Sequence, residues 1–271
     1  MSEDTFSLML HNIARKILPS GIRQTIGRWL KGGQETIPAS NGYEVIRDEV
    51  VAELVEGWLD PAVAQRQHQA FAPLLRQMRE GKPREDFVTV AKAVQATGLQ
   101  NPLIIEVGCG SGWNSEVLAY LLKQPIHYIG LDYSQAMTSL GKAHYPNVHF
   151  LVGDATKLPL QHDCCDILLS GTVLMHLLGY EAAIAESCRV ARHWCIFHTV
   201  PVLRGRETTV LRKKAYGEDA VEIVFNEEEF YHLIEQGGLA IHQVLESIPY
   251  NLELLLGEPT VTKSYVCEVK Y

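Results

Sequence analysis

The chain has 271 residues, 46% of them hydrophobic and 21% charged, and a formal net charge of −8. That is enough apolar material for one α/β domain of ordinary size with an appendage. The acidic balance argues against a nucleic-acid partner, which would need concentrated Lys and Arg.

In chain order, residues 1–36 form a distinct opening segment. Five basic residues stand against Glu3, Asp4 and Glu35, a local charge of +2 on a chain whose remainder is −10. Phe6, Met9, Leu10, Ile13 and Ile17 recur at helical spacing until Pro19-Ser20-Gly21, after which Ile22, Ile26, Trp29 and Leu30 resume it. A lid helix and a membrane-surface anchor compete here; the few basic residues favour the lid. Lys31-Gly32-Gly33-Gln34 reads as a flexible connection.

Residues 37–98 read as a helical extension, with three helices between Tyr43 and Gly98. Asp60-Pro61 supplies an N-cap and a first-turn proline, and Val63, Gln67, Phe71, Leu74 and Met78 fall on one face of the second helix. Gln67 is the exception on that face, and either bonds backbone or reaches a cofactor or an acceptor. Tyr43 and Trp58 are further candidates to line the same opening, although for Trp58 packing is the stronger reading.

The most informative stretch follows at Leu103-Ile104-Ile105-Glu106-Val107-Gly108-Cys109-Gly110-Ser111-Gly112. An apolar run ending in alternate glycines predicts a buried strand turning sharply into a helix, with backbone open to a ligand. A dinucleotide fingerprint would need a third glycine where Trp113 stands, and no Lys follows to make a phosphate loop, so neither motif is met. Ile126 to Asp132 predicts a second parallel strand whose terminal carboxylate suits a ribose diol. A third strand, Val148 to Ala155, ends in Asp154, able to accept from an exocyclic amine. A fourth, Cys165 to Gly171, ends in small residues beside the glycine loop.

In these ordered motifs, Glu-Val-Gly-Cys-Gly-Ser-Gly, Gly-Leu-Asp-Tyr-Ser, Gly-Asp-Ala with Leu158-Pro159, and the strand ending at Ser170, the chain resembles the class I S-adenosylmethionine-dependent methyltransferases from about Leu99 to Tyr271. The resemblance implies a Rossmann-like α/β fold for residues 99–271. Its seven-stranded, mostly parallel sheet would have the order 3-2-1-4-5-7-6, with strand seven antiparallel and extra N-terminal helices. It also implies S-adenosylmethionine as cofactor. Glu106, Gly108, Gly110 and Gly112 would surround the methionine part, Asp132 the ribose, and Asp154 with Ala155 the adenine. Tyr133 and Met137 would pack on the adenine face, with Ser170 at the end of strand four. His176, just past that strand, is the candidate general base, because a neutral imidazole can take a hydroxyl proton.

Toward the C-terminus, strands are expected at His193 to Val200, Leu239 to Glu246 and Lys263 to Tyr271, with a helix opened by an Asn226/Glu229 capping box and closed at Gly237-Gly238. Arg204 to Glu222 reads as a charged insertion loop. Its Arg206, Arg212, Lys213, Lys214 and Tyr216 are either solvated surface or a recognition patch for an anionic or glycosylated acceptor. Six cysteines lack zinc spacing and read as free thiols, and no metal set is evident. With no long apolar run and no basic signal at the start, a cytoplasmic chain without stable membrane insertion is expected. The function this implies is methyl transfer to a small molecule, most directly a hydroxyl of a saccharide or secondary metabolite. A non-catalytic cofactor-binding module and, more remotely, an NAD oxidoreductase are the alternatives. The sequence leaves oligomeric state open.

Overall fold

The computed structural model describes residues 42–46 and 56–270. The opening amphipathic segment, its flexible connection and its membrane-surface alternative lie outside the described residues. Strand β1, Tyr43–Val45, stands where a helix is expected from sequence, and a single 3-10 turn spans Glu56–Leu59.

Helix α1, Pro61–Arg79, begins as its sequence dictates. Asp60 accepts the Ala62 amide at 2.8 Å, Pro61 fills the first turn, and Val63, Ala64, Leu75 and Met78 are buried. Helix α2, Glu85–Ala96, buries Phe87, Val90 and Val94. The alternating β/α stretch follows: β2 Leu103–Val107, α3 Trp113–Leu121, β3 His127–Asp132, α4 Gln135–His144, β4 His149–Val152 and β5 Cys165–Gly171. After a 3-10 turn at Leu174–His176 come α5 Tyr180–Val190, β6 Ala191–Leu203, β7 Thr209–Ala215, β8 Glu218–Asn226, α6 Glu227–Gln236, β9 Leu239–Glu246, the four-residue α7 Glu253–Leu256 and β10 Val261–Val269.

The strands join in the order β4-β3-β2-β5-β6-β10-β9, parallel from β4 through β6, with β10 antiparallel to both neighbours. This is the expected 3-2-1-4-5-7-6 order, and helices cover both faces. On one face Leu168, Phe197 and Leu131 pack with Ile184 and Phe230 of α5 and α6. On the other, Ile104, Leu169 and Ile196 pack with Met78, Phe87, Val94 and Leu118 of α1, α2 and α3. The residue-by-residue switch of faces along β5 is the period-two geometry of a strand buried on both sides.

The charged insertion is not a loop. Its residues form the antiparallel β7–β8 hairpin, to which β1 adds on the outer edge. Tyr216 and Gly217 both have positive φ, 51° and 93°, the backbone handedness that a two-residue hairpin turn requires. Past the end of β5, β8 pairs in parallel with Val202 and Leu203 of β6, so the hairpin extends the sheet above the strand ends. The cations of this segment are paired within the chain. Arg212 pairs with Glu44, Lys213 with buried Glu222, Lys214 with Asp219 at 2.9 Å, and Arg206 donates to the Leu256 carbonyl at 2.8 Å. Asn226 caps α6 by accepting the Glu228 and Glu229 amides, but Glu229 bonds Thr208 instead of completing a reciprocal box.

All six cysteines are free. Among the described residues no helix is long and apolar enough to cross a membrane, and no group of three or more His, Cys, Asp or Glu gathers to hold a metal ion.

Candidate active site

Between β2 and α3, Gly108, Gly110 and Gly112 all adopt positive φ, at 67°, 55° and 80°. A Cβ at each would meet Val173 at 2.6 Å, the Trp113 ring at 2.6 Å and the Phe150 ring at 2.5 Å respectively. Both the left-handed backbone and the close approach require glycine at these alternate positions. The missing dinucleotide glycine is thus Trp113, whose ring lies beside Gly110 and stacks on Phe71 of α1 at 3.9 Å.

Asp132 ends β3 beside this loop. Its Oδ2 accepts the Gly110 amide at 2.8 Å and its Oδ1 the Ser134 amide at 2.9 Å. Burial raises its pKa, and the two amides oppose that rise. Each carboxylate oxygen keeps further lone pairs, so the group has capacity for a diol. Glu106, fully buried on β2, accepts from Asn114 Nδ2 at 2.7 Å and from the Tyr128 hydroxyl. Burial pushes its pKa up to about 7, against these two hydrogen bonds.

Glu106, Gly171 and His198 extend toward the strand ends the face on which Ile104, Leu169 and Ile196 pack. A Cβ at Gly171 would overlap Glu106 Oε1, so glycine there makes room for the Glu106 carboxylate. His198, buried on β6 opposite Gly171, shares a 2.8 Å hydrogen bond between Nδ1 and Ser264 Oγ. Burial lowers its pKa to about 4. Its surroundings are strained: Thr172 and Thr199 hold φ of 64° and 58°, uncommon for β-branched residues, and β10 bulges between Lys263 and Tyr265. Nothing local in the sequence marks His198, because its bulge partner lies on a distant strand.

His176 sits beside the same strand ends but in another setting. Its Nδ1–H donates to the Val221 carbonyl of β8 at 2.6 Å, and its ring lies 5.2 Å from that of Trp58. Burial, with the Lys213 ammonium nearby, lowers its pKa to about 3. An imidazole so held is a weak proton acceptor at neutral pH.

The remaining expected residues divide. Gln67 stands over the loop, its Oε1 3.2 Å from the Cβ position of Gly110, and the neighbouring Arg66 donates to the Tyr216 carbonyl. Trp58 lies against Tyr216, with ring centroids 6.0 Å apart. Met137 is buried in the first turn of α4, capped by Ser134, and Ala155 and Ser170 are buried near the strand ends. Tyr133 is partly exposed next to Asp132. Asp154 is exposed, and its Oδ1 accepts from both the amide and the hydroxyl of Thr156 at 2.8 Å, a turn-forming arrangement. Tyr43 is not gathered at the loop; it pairs with Lys213 on the outer hairpin edge and packs with Leu211, Leu252 and Leu256.

The crowded glycine cradle and the carboxylates at the ends of β2 and β3 fit a nucleoside joined to an amino acid. Residues 105–197 match the family model of the methyltransferase domain. Over 94 residues, 35% of each chain, the protein is 31% identical to a probable S-adenosylmethionine-dependent methyltransferase of Mycolicibacterium smegmatis. Over 92 residues, 32% of this chain and 39% of the other, it is 29% identical to the ubiquinone/menaquinone biosynthesis C-methyltransferase UbiE of Campylobacter jejuni. The chain thus matches little more than a third of the length of these curated relatives. Among solved structures, the TehB-like S-adenosylmethionine-dependent methyltransferase of Corynebacterium glutamicum superposes with a TM-score of 0.52 at 19% identity, over 78% of this chain and 100% of that one, which shows the shared fold. Residues 105–197 are thus similar to the methyltransferase domain, and the fold is the one shared with an S-adenosylmethionine-dependent methyltransferase.

Proposed function

We propose that the protein transfers the methyl group of S-adenosylmethionine to a hydroxylated small molecule, at oxygen. The observation that carries this reading is the glycine cradle closed by Asp132. The cofactor supplies a methyl group already activated on sulfur. The chain has to bind, align and keep water out. Asp132 takes the ribose diol, the loop amides and Glu106 take the methionine part, and Met137 with Tyr133 flank the base. Asp154 stands at the rim of the adenine end. On the acceptor side, His198 is the neutral polar group held in place by Ser264, and the Trp58 and Tyr216 rings offer an aromatic wall.

A second reading, methylation at carbon of a hydroxylated or quinone-like ring, is supported by the likeness to the Campylobacter C-methyltransferase and by the same aromatic wall. Incubation with methyl-labelled S-adenosylmethionine and a panel of phenols, quinols and saccharides separates the two. An O–CH3 resonance in the labelled product supports the first, a C–CH3 resonance the second. No release of S-adenosylhomocysteine with any acceptor class would count against both.

The raised Glu106 pKa gives a pH dependence. If the complex holds Glu106 ionised beside the methionine ammonium, the free protein must release a proton to bind whenever the pH is below about 7. S-adenosylhomocysteine affinity is then expected to fall as pH drops from 7 to 5, approaching roughly tenfold per unit. Glu106→Gln should flatten that slope; an identical slope in the variant would remove Glu106 from the site.

A further inference from the structure

Three successive residues of α1 reach three different neighbours above the glycine loop. Arg66 Nε donates to the carbonyl of Tyr216 at the hairpin tip. His68 Nδ1 shares a 2.8 Å hydrogen bond with Ser111 Oγ inside the loop. Between them, Gln67 Oε1 is buried without a partner and lies 3.2 Å from the Cβ position of Gly110. The carbonyl oxygen of the amide is thus the end that stands toward the loop. One turn further on, Phe71 stacks on Trp113, so α1 is held in one register over the cradle from both ends.

An acceptor oxygen left unpaired in a buried place is costly, and native structures leave few without a partner. This one faces the loop that the preceding reading assigns to the methionine part of the cofactor. A group that completes it has to bring a hydrogen-bond donor. A carboxylate fails that requirement, and an ammonium meets it with three N–H donors and a positive charge.

We propose that the Gln67 side-chain carbonyl is the receptor for the α-ammonium of the cofactor's methionine part, making α1 and the hairpin tip a clasp that recognises the amino acid end of the ligand. This rests on the reading that S-adenosylmethionine binds at the glycine loop. Gln67 then contributes to affinity from outside the Rossmann-like core.

Calorimetry on the full chain tests this without any acceptor. The two probes are S-adenosylhomocysteine and its analogue carrying hydrogen in place of the α-amino group, with the carboxylate retained. Gln67→Leu is expected to weaken S-adenosylhomocysteine about tenfold or more, the loss of a hydrogen bond to a charged group, and to leave the desamino analogue unchanged. Gln67→Glu, which keeps an acceptor there and adds a negative charge, is expected to hold S-adenosylhomocysteine at least as tightly as the wild type. Equal weakening of both ligands by Gln67→Leu, or no weakening of either, would overturn the assignment, as would Gln67→Glu losing more affinity for S-adenosylhomocysteine than Gln67→Leu. A wild-type protein that bound neither probe would instead overturn the underlying cofactor reading.

Discussion

Replacing Asp132 with Ala is expected to weaken S-adenosylhomocysteine binding by about a hundredfold or more. A carboxylate holding both hydroxyls of a ribose makes two charge-assisted hydrogen bonds, each worth roughly 1.5–3 kcal/mol. The substitution also strips the Gly110 and Ser134 amides of their common acceptor, loosening the loop that forms the cradle. Asp132→Asn is expected to bind poorly as well, because its NH2 group would face one of these two N–H donors or a ribose hydroxyl it cannot accept from. Calorimetry for affinity and thermal unfolding without ligand separate the two contributions. Affinity unchanged in both variants would refute the ribose role.

The second large effect is on stability. Glu222 is fully buried on β8, receives the Tyr250 hydroxyl, and pairs with Lys213 on the neighbouring strand of the hairpin. Removing one partner of such a pair leaves the other charged in an apolar place, so Glu222→Leu is expected to cost about 3–5 kcal/mol. The double variant Lys213→Met/Glu222→Leu should recover most of the loss, since apolar residues of similar volume can replace a buried pair at little net cost. Urea unfolding of the single and double variants checks this; additive losses would mean the two charges are not coupled. The consequence for function runs through the hairpin tip, where Tyr216 meets Trp58.

What was legible in the sequence was local. The glycine loop, the Asp60 cap and the acid at the end of β3 each follow from residues a few positions apart, where strand runs, positive φ and capping leave direct marks. The hairpin was hidden because its charges look like a solvated loop when read in sequence. Arg212 and Glu44, or Lys213 and Glu222, meet only after β1, β7 and β8 align. The choice between histidines was hidden for the same reason. His176 and His198 both lie in apolar stretches. What separates them is the Val221 carbonyl that engages one and the β10 bulge at Ser264 that holds the other. Gln67 was visible as an exception on an apolar face, but the glycine that its buried Oε1 approaches lies on another element, far along the chain.

The proposed function requires the glycine loop between β2 and α3 to hold a sulfonium nucleoside rather than a dinucleotide. Calorimetric titration of the wild-type chain with S-adenosylhomocysteine and, separately, with NAD tests that most directly. One equivalent of S-adenosylhomocysteine bound, with no heat from NAD, is the expected result; binding of NAD in preference, or of neither, would contradict it.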